Sequence, residues 1–437
     1  MAPTGMEQLR DEISRLQPWC EVGRVAGIGA GVVTASGLVH CARVGDRVRI
    51  LGRNGAIGAE AIGLTAERVT LLSDHPPEGV TIGDEVELIG AAGIAPDMSW
   101  CGRIVDPFGA ALDGRPLMRG PVERALRSPP PPAARRRPLG ARLETGMAVF
   151  DTLLPLVRGQ RIGLFAGSGV GKSSLLARFA TGVEADIVVI ALIGERGREL
   201  REFVETTLGP EGMARAVVVA ATSDQSPLLR RRCAWAAMAV AEYFRDLGRH
   251  VLFLADSVTR FAEAHREIAL AGGEAPSLRG FPPSVSSQIM ALAERSGPGT
   301  EGTGDITAVF SVLVAGSDME EPVADILRGT LDGHVVLDRA IAERGRFPAV
   351  DLLRSVSRAL PGAASAAENA LIGRARRLLG AYDRAEMMIQ AGLYAAGSDP
   401  LIDSAIRVWP ALDAFIGEVG TVEGSFARLA QILGGDG

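Results

Sequence analysis

Of the 46 lysine and arginine residues in this 437-residue chain, only Lys172 is a lysine. It sits in Ala166-Gly167-Ser168-Gly169-Val170-Gly171-Lys172-Ser173, directly after the apolar run Arg161-Ile162-Gly163-Leu164-Phe165. A glycine-rich turn between a strand and a helix can wrap its backbone N–H groups around phosphate oxygens. A compact ammonium suits a position between the β- and γ-phosphates of a nucleotide, where the wide guanidinium fork of arginine has a different geometry. The pattern GxxxxGK[ST] is met except at its first position, where Ala166 stands. The N–H groups from Gly169 to Ser173, with Gly167, Ser168 and Ser174 beside them, are the expected cradle. The Ser173 hydroxyl is the expected Mg²⁺ ligand.

Two acids end apolar runs of their own. Val251-Leu252-Phe253-Leu254-Ala255 leads into Asp256, and Ile187 to Ile193 leads through Gly194 into Glu195. Acids at the C-terminal ends of parallel strands face the crevice where open α/β sheets bind ligands. Asp256 is therefore read as a Mg²⁺ carboxylate acting partly through water, although an Asp before Ser257 also suits a helix cap. Glu195 is placed to orient and polarise an attacking water. Arg196 is set to reach phosphate or pair with an acid. Glu199 and Glu202 read as helix-surface charges offset by Arg198 and Arg201. Asp332-Gly333-His334, Phe347-Pro348-Ala349-Val350-Asp351 and Ser355-Val356-Ser357-Arg358 carry no role on physical grounds alone.

The elements that must position these groups follow from pattern. Apolar runs at 161–165, 187–193, 216–221, 250–255 and 308–314 alternate with helix-like segments such as Leu228 to Leu247, the signature of a parallel sheet covered on both faces. Before them, from Glu21 to about Ile89, short alternating runs follow Gly-Asp turns at 45–46 and 83–84, which predicts a small β-barrel. That stretch has no Phe, Tyr or Trp. Residues 105–140, with Pro129 to Pro132 and Arg135-Arg136-Arg137, read as a stiff connector whose arginines are solvated. Beyond Pro361 the strand signal stops and a helical domain is expected. At the start, Thr4-x-x-Glu7 reads as a capping box, and Met6, Leu9, Ile13 and Leu16 form the stripe of a short helix that packs on its own domain or takes a partner. The predicted organisation is a partner-binding helix at 1–20, a barrel at 21–95, a RecA-like P-loop α/β core at 96–360 that includes the connector, and C-terminal helices at 361–437.

A net charge of −6 and a pI of about 5.6 give no bulk attraction to nucleic acid or anionic membrane. Cys20, Cys41, Cys101 and Cys233 are scattered and show no CxxC or Cys/His ligand pattern. Neither a further metal site nor a disulfide framework is expected, and a reducing compartment fits. No run reaches membrane-spanning length and the start is unlike a signal peptide, so a cytoplasmic chain is expected.

The phosphate-loop run from Gly163 to Ser173 and the run Leu192-Ile193-Gly194-Glu195-Arg196-Gly197-Arg198-Glu199 resemble those of the type III secretion ATPases. The three segments between Asp332 and Arg358 named above, and Gly397-Ser398-Asp399-Pro400-Leu401-Ile402-Asp403, match the same family in the same order. The resemblance is strongest to its flagellar protein export branch, runs from about residue 21 to about 416, and extends to the α and β subunits of rotary ATP synthases. It implies ATP with Mg²⁺, a catalytic Glu195, an adenine-stacking Phe347 with Tyr394 near it, and Arg358 as a finger reaching a neighbour's site in a homo-hexamer. It also implies a stator-like dimeric regulator at the N-terminus, a rod-like stalk in the ring pore, a membrane export gate, export substrates and chaperones, and peripheral placement on the inner membrane at the flagellar base. Phe150 for isoleucine and Ser174 for threonine are modest departures.

An injectisome ATPase shares these motifs. A hexameric RNA translocase shares the barrel-plus-motor plan, but a barrel that binds single strands needs aromatic platforms and basic charge, which are missing here. A rotary synthase subunit is disfavoured by the family motifs.

Overall fold

The computed structural model describes residues 20–434 apart from 30, 92 and 315–318. The predicted N-terminal helix lies outside the described residues. Strands β1 (Val22–Gly29), β2 (Val32–Ser36), β3 (Arg47–Gly52), β4 (Gly55–Leu64), β5 (Val69–Ser73) and β6 (Glu85–Gly90) close into a barrel in the order β1-β2-β5-β4-β3-β6. Closure pairs β1 with β6, so neither strand is left as an open edge. Its interior is small and aliphatic: Val25, Val33, Ala35, Val48, Ile50, Ala59, Val69, Leu71 and Val86 are all buried. Period-2 alternation puts these residues inside, as in β2, where Val33 and Ala35 point in and their neighbours are only half-buried.

The central sheet has eight strands: β7 (Arg103–Val105), β8 (Arg161–Ala166), β9 (Ile187–Glu195), β10 (Ala216–Thr222), β11 (His250–Asp256), β12 (Asp305–Leu313), β13 (Gly333–Leu337) and β14 (Val350–Ser357). Their order is β14-β13-β8-β12-β11-β9-β10-β7. All neighbours are parallel except β13 and β14. Along β9, Val188, Ile190 and Leu192 belong to one core, and Ile187, Val189, Ala191 and Ile193 to the other. Burial on both faces is why this strand reads as an unbroken apolar run. The helix Lys172–Gly182 covers the first face through Leu175, Leu176 and Phe179, and the helix Pro227–Asp246 covers the second. The first core continues into the C-terminal helices Ala366–Gln390, Pro400–Ile416 and Val422–Gly434 through Leu378, Leu412, Phe415 and Leu429.

The five predicted strands are present. Three more, β7, β13 and β14, carry no readable strand signal. The arginine cluster differs from expectation. Arg136 is only part-exposed, with its guanidinium on Glu294, and Arg137 pairs with Asp305 at 2.6 Å. These pairs strap the connector to the core, while Arg135 and Arg137 stay exposed to solvent as expected. No helix among the described residues is long and apolar enough to cross a membrane.

A charged seam joins barrel to core. Arg231, from the helix Pro227–Asp246, meets the barrel's Glu60 at 2.5 Å with both side chains buried. It also contacts His265 Nδ1 at 3.3 Å and stacks 4.8 Å from the Trp235 ring centroid. Next to it, Arg232 lies over Phe108 at 4.3 Å, and Arg47 of β3 is 5.1 Å from the same ring. Burial pulls both Arg231 and Arg232 down to about 10. Removing one partner of a buried pair leaves the other charge uncompensated, at a cost of about 3–5 kcal/mol. Glu60→Ala should destabilise the chain by that order in chemical denaturation, well above a surface Glu→Ala such as Glu343→Ala.

Candidate active site

β8 ends at Ala166, and the helix Lys172–Gly182 begins after five intervening residues. Between them Gly169 and Gly171 take φ of 77° and 87°, a left-handed backbone that a side chain would strain. Gly171 is the helix N-cap and offers no side-chain cap, so the first-turn N–H groups are open to an anion. Ser168, Ser173 and Ser174 are exposed, while Val170 is buried and pins the loop from beneath. A β-carbon on Gly171 would come within 3.3 Å of Phe347, which places that half-exposed ring beside the loop.

Three strand ends converge on the ammonium of Lys172. It pairs with Asp256 Oδ1 and lies 3.9 Å from Glu195 Oε1. Asp256 is buried, and the Ser311 hydroxyl of β12 donates to the same Oδ1 at 2.8 Å. The register fixes this meeting: Asp256 of β11 sits beside Leu192 of β9, three residues before Glu195, and β12 links β11 to β8. Burial, reinforced by the Asp256 carboxylate, pushes the Glu195 carboxyl up to about 7, and Lys172 opposes the rise. A hydrogen bond to Glu199 adds to it, and Glu199 is lowered in turn by accepting that bond. A carboxyl that titrates near neutrality suits general-base work.

The donor set fits a magnesium nucleotide. Both contacts to Asp256 engage Oδ1, and the exposed Ser173 hydroxyl lies in the first helical turn beside Lys172. Hard oxygen donors next to open backbone N–H groups are what Mg²⁺ and a triphosphate take together.

The other expected residues are spread around this centre. Arg196 is exposed and pairs with Glu199 at 2.8 Å. Glu199 is exposed on its helix, as expected, but its partners are Arg196 and Glu195, not the expected Arg198 and Arg201, and Arg201 pairs with Glu205. The Tyr394 hydroxyl has the Asp403 carboxylate at 3.0 Å and the Asp399 carbonyl at 3.1 Å as acceptors for its one proton, in the turn that starts the helix Pro400–Ile416. Its polar partners are therefore in the helical domain, not at the phosphate loop. Arg358 is exposed and lies level with Asp332, whose carbonyl accepts its backbone N–H at 3.0 Å. β13 then runs to Leu337, which faces Ala166. At roughly 3.3 Å per residue, Arg358 is about 16 Å from the start of the phosphate loop, at the opposite rim of the sheet.

Sequence reasoning missed Ser311 and Arg260. A lone hydroxyl within the apolar run 308–314 was the available signal for Ser311. Arg260 packs against Gly194 and feels both Glu195 and Glu199 while pairing with Glu263 at 2.8 Å. Nothing in its local sequence marks it.

Residues 146–357 match the ATP synthase alpha/beta family, nucleotide-binding domain, and residues 364–430 match the T3SS EscN ATPase C-terminal domain. The chain is 46% identical to a flagellum-specific ATP synthase of Caulobacter vibrioides, over 98% of this chain and 99% of that protein. The fold is similar to the assembled ATPase EscN of the enteropathogenic E. coli type III secretion system, with TM-score 0.87, 35% identity, and coverage of 94% of this chain and 100% of that one. EscN in complex with its central stalk EscO gives TM-score 0.85 and 36% identity at the same coverage.

Since the carboxylate form of Glu195 is the one able to draw a proton from water, kcat/KM for ATP should rise with pH along an acid limb centred at about 7. Glu199→Ala removes a contribution that raises this group, so the limb should move to lower pH. A limb that stays in place in the variant would refute the coupling between the two acids.

Proposed function

The chain belongs to the family of flagellar and type III secretion ATPases, and from that membership we propose that it is the Mg²⁺-dependent ATP hydrolase that drives a flagellar protein export apparatus. The observation that carries the chemistry is the meeting of Lys172, Asp256 and Glu195 at one rim of the sheet, beside an uncapped helix N-terminus. The flagellar reading over the injectisome one is supported by the higher identity to the Caulobacter flagellar relative, 46%, against 41% to a type 3 secretion system ATPase of Pseudomonas syringae. An RNA translocase is opposed by a barrel without aromatic side chains.

In this reading the triphosphate lies along Gly167 to Ser174, its oxygens taken by backbone N–H groups and Lys172. Phe347 supports the adenine, with Tyr394 assigned more distantly. Mg²⁺, held by Ser173 and partly through water by Asp256, supplies charge neutralisation on the β- and γ-phosphates. Glu195 as carboxylate accepts a hydrogen bond from water and aims its oxygen at the γ-phosphorus. The new P–O bond forms as the bond to the β–γ bridging oxygen breaks. The bridging oxygen leaves on ADP with the electron pair, and the water proton passes through Glu195 to solvent. Ser311 fixes Asp256, and Glu199 adds to the rise in the proton affinity of Glu195 that burial and Asp256 produce. Arg358 serves a neighbouring copy's nucleotide, supported by its place at the opposite rim from its own loop. That arrangement requires an oligomer, which we assign as a homo-hexameric ring. A rod-like stalk in the pore, a stator-like regulator at the N-terminal segment, an export gate, chaperones and unfolded substrates complete the assignment for a cytoplasmic chain peripheral to the inner membrane.

Glu195→Gln should reduce turnover by roughly 10²–10⁴-fold while ATP binding persists. Arg358→Ala and Lys172→Ala should each be inactive alone and regain activity when mixed, since one copy can supply the arginine and the other the phosphate loop. Mixed rings verified by labelling that stay inactive would count against action in trans. In the source bacterium, Lys172→Ala should abolish flagellin and hook protein in the culture supernatant while both are still made in the cell. Normal flagellar export would shift the assignment to another secretion system.

A further inference from the structure

Away from the nucleotide, Glu21, His40 and Cys41 bring a carboxylate oxygen, an imidazole nitrogen and a thiol sulfur within 4.8 Å of one another on the barrel. We propose that these three residues form a binding site for a thiophilic divalent cation of the zinc class. Four cysteines without a CxxC pattern predict no such site. The signal passed over is the adjacent His40-Cys41 pair, which the barrel brings against a residue 19 positions earlier.

The backbone under the site is anchored. Glu21 precedes β1, and its carbonyl accepts from Leu88 N–H of β6 at 2.9 Å. Cys41 closes a tight turn after β2, its N–H on the Leu38 carbonyl at 3.1 Å. The Cys41 thiol is half-buried and donates weakly to that same carbonyl at 3.4 Å. The Glu21 and His40 side chains are exposed, and neither has a hydrogen-bond or ion-pair partner among the described residues. Two ligand-type side chains without competing partners thus flank a fixed sulfur. A tetrahedral centre with bonds of roughly 2.0–2.3 Å holds its donors about 3.3–3.8 Å apart. Closing from 4.8 Å needs only side-chain rotation at the two exposed residues. One thiolate and one imidazole select zinc over Mg²⁺ or Ca²⁺, and three protein ligands leave a fourth position for water. On binding, the S–H bond breaks, sulfur keeps the electron pair as a metal ligand, and the proton goes to solvent. The bound ion would tie the entry to β1, where residues 1–19 join the barrel, to the β2–β3 connection.

The test uses the full chain, stripped with chelator and free of nucleotide, titrated with Co²⁺ as a spectroscopic stand-in for zinc. One equivalent should bind with a thiolate-to-cobalt charge-transfer band and tetrahedral visible bands, and Zn²⁺ should erase both. Cys41→Ser should lose the charge-transfer band, and His40→Ala should bind at least roughly tenfold more weakly. Cys101→Ser should match the parent. His40 is exposed, so that variant should keep its circular dichroism and its ATP hydrolysis rate, which separates lost ligation from lost fold. Absence of the band in the parent, its survival in Cys41→Ser, or unchanged affinity in His40→Ala would overturn the site.

Discussion

An ammonium sheltered from water needs compensating charge, and two carboxylates held close together cannot both ionise freely without a cation. Lys172, Asp256 and Glu195 satisfy each other only because β8, β11 and β9 end at the same rim in the same register. Shift one strand by a residue and an acid turns to the wrong face of the sheet. The two apolar cores that clamp β9 from both sides hold that register, so packing far from the rim determines whether the charges meet. Glu195 is left close to neutral pH, with Asp256 and burial pushing one way and Lys172 the other. A bound triphosphate would draw the ammonium away and alter that balance.

The use of arginine elsewhere has a physical counterpart. Guanidinium groups are weakly hydrated and stack on ring faces, so they tolerate burial better than an ammonium does. The seam between barrel and core relies on this: Trp235 is flanked by Arg127 at 4.4 Å and Arg231 at 4.8 Å, and Phe108 by Arg47 and Arg232. Arg295 is likewise buried with Glu242, at 2.7 Å. A lysine at these places would keep the charge but lose the stacking and the bidentate reach.

What could be read in advance follows the same physics. Strands buried on both faces announce themselves as apolar runs, and a loop rich in glycine announces its backbone, so the nucleotide rim was legible. β13 and β14 were not: β14 mixes exposed Leu353, Arg354 and Val356 with buried Leu352, Ser355 and Ser357, and follows neither period. The ion pairs of Arg136 and Arg137 were not legible because their partners, Glu294 and Asp305, lie more than 150 residues away. Glu199 is the surface charge it looked like, but its contact with Glu195 was not legible because that neighbour is set by where β9 stops. In each case the deciding partner was distant in sequence or fixed by a strand end.

One strand in the central sheet runs against the rest. Were β14 parallel to β13, its last residues would emerge beside the phosphate loop, and Arg358 would sit within reach of the nucleotide on its own chain. Its reversal carries that arginine to the far rim. If Arg358 is the finger assigned to it, a solitary molecule is an engine with its ignition mounted on somebody else's block. Fuel is then spared wherever the chain is made or stored alone, and combustion begins only where copies are gathered into contact.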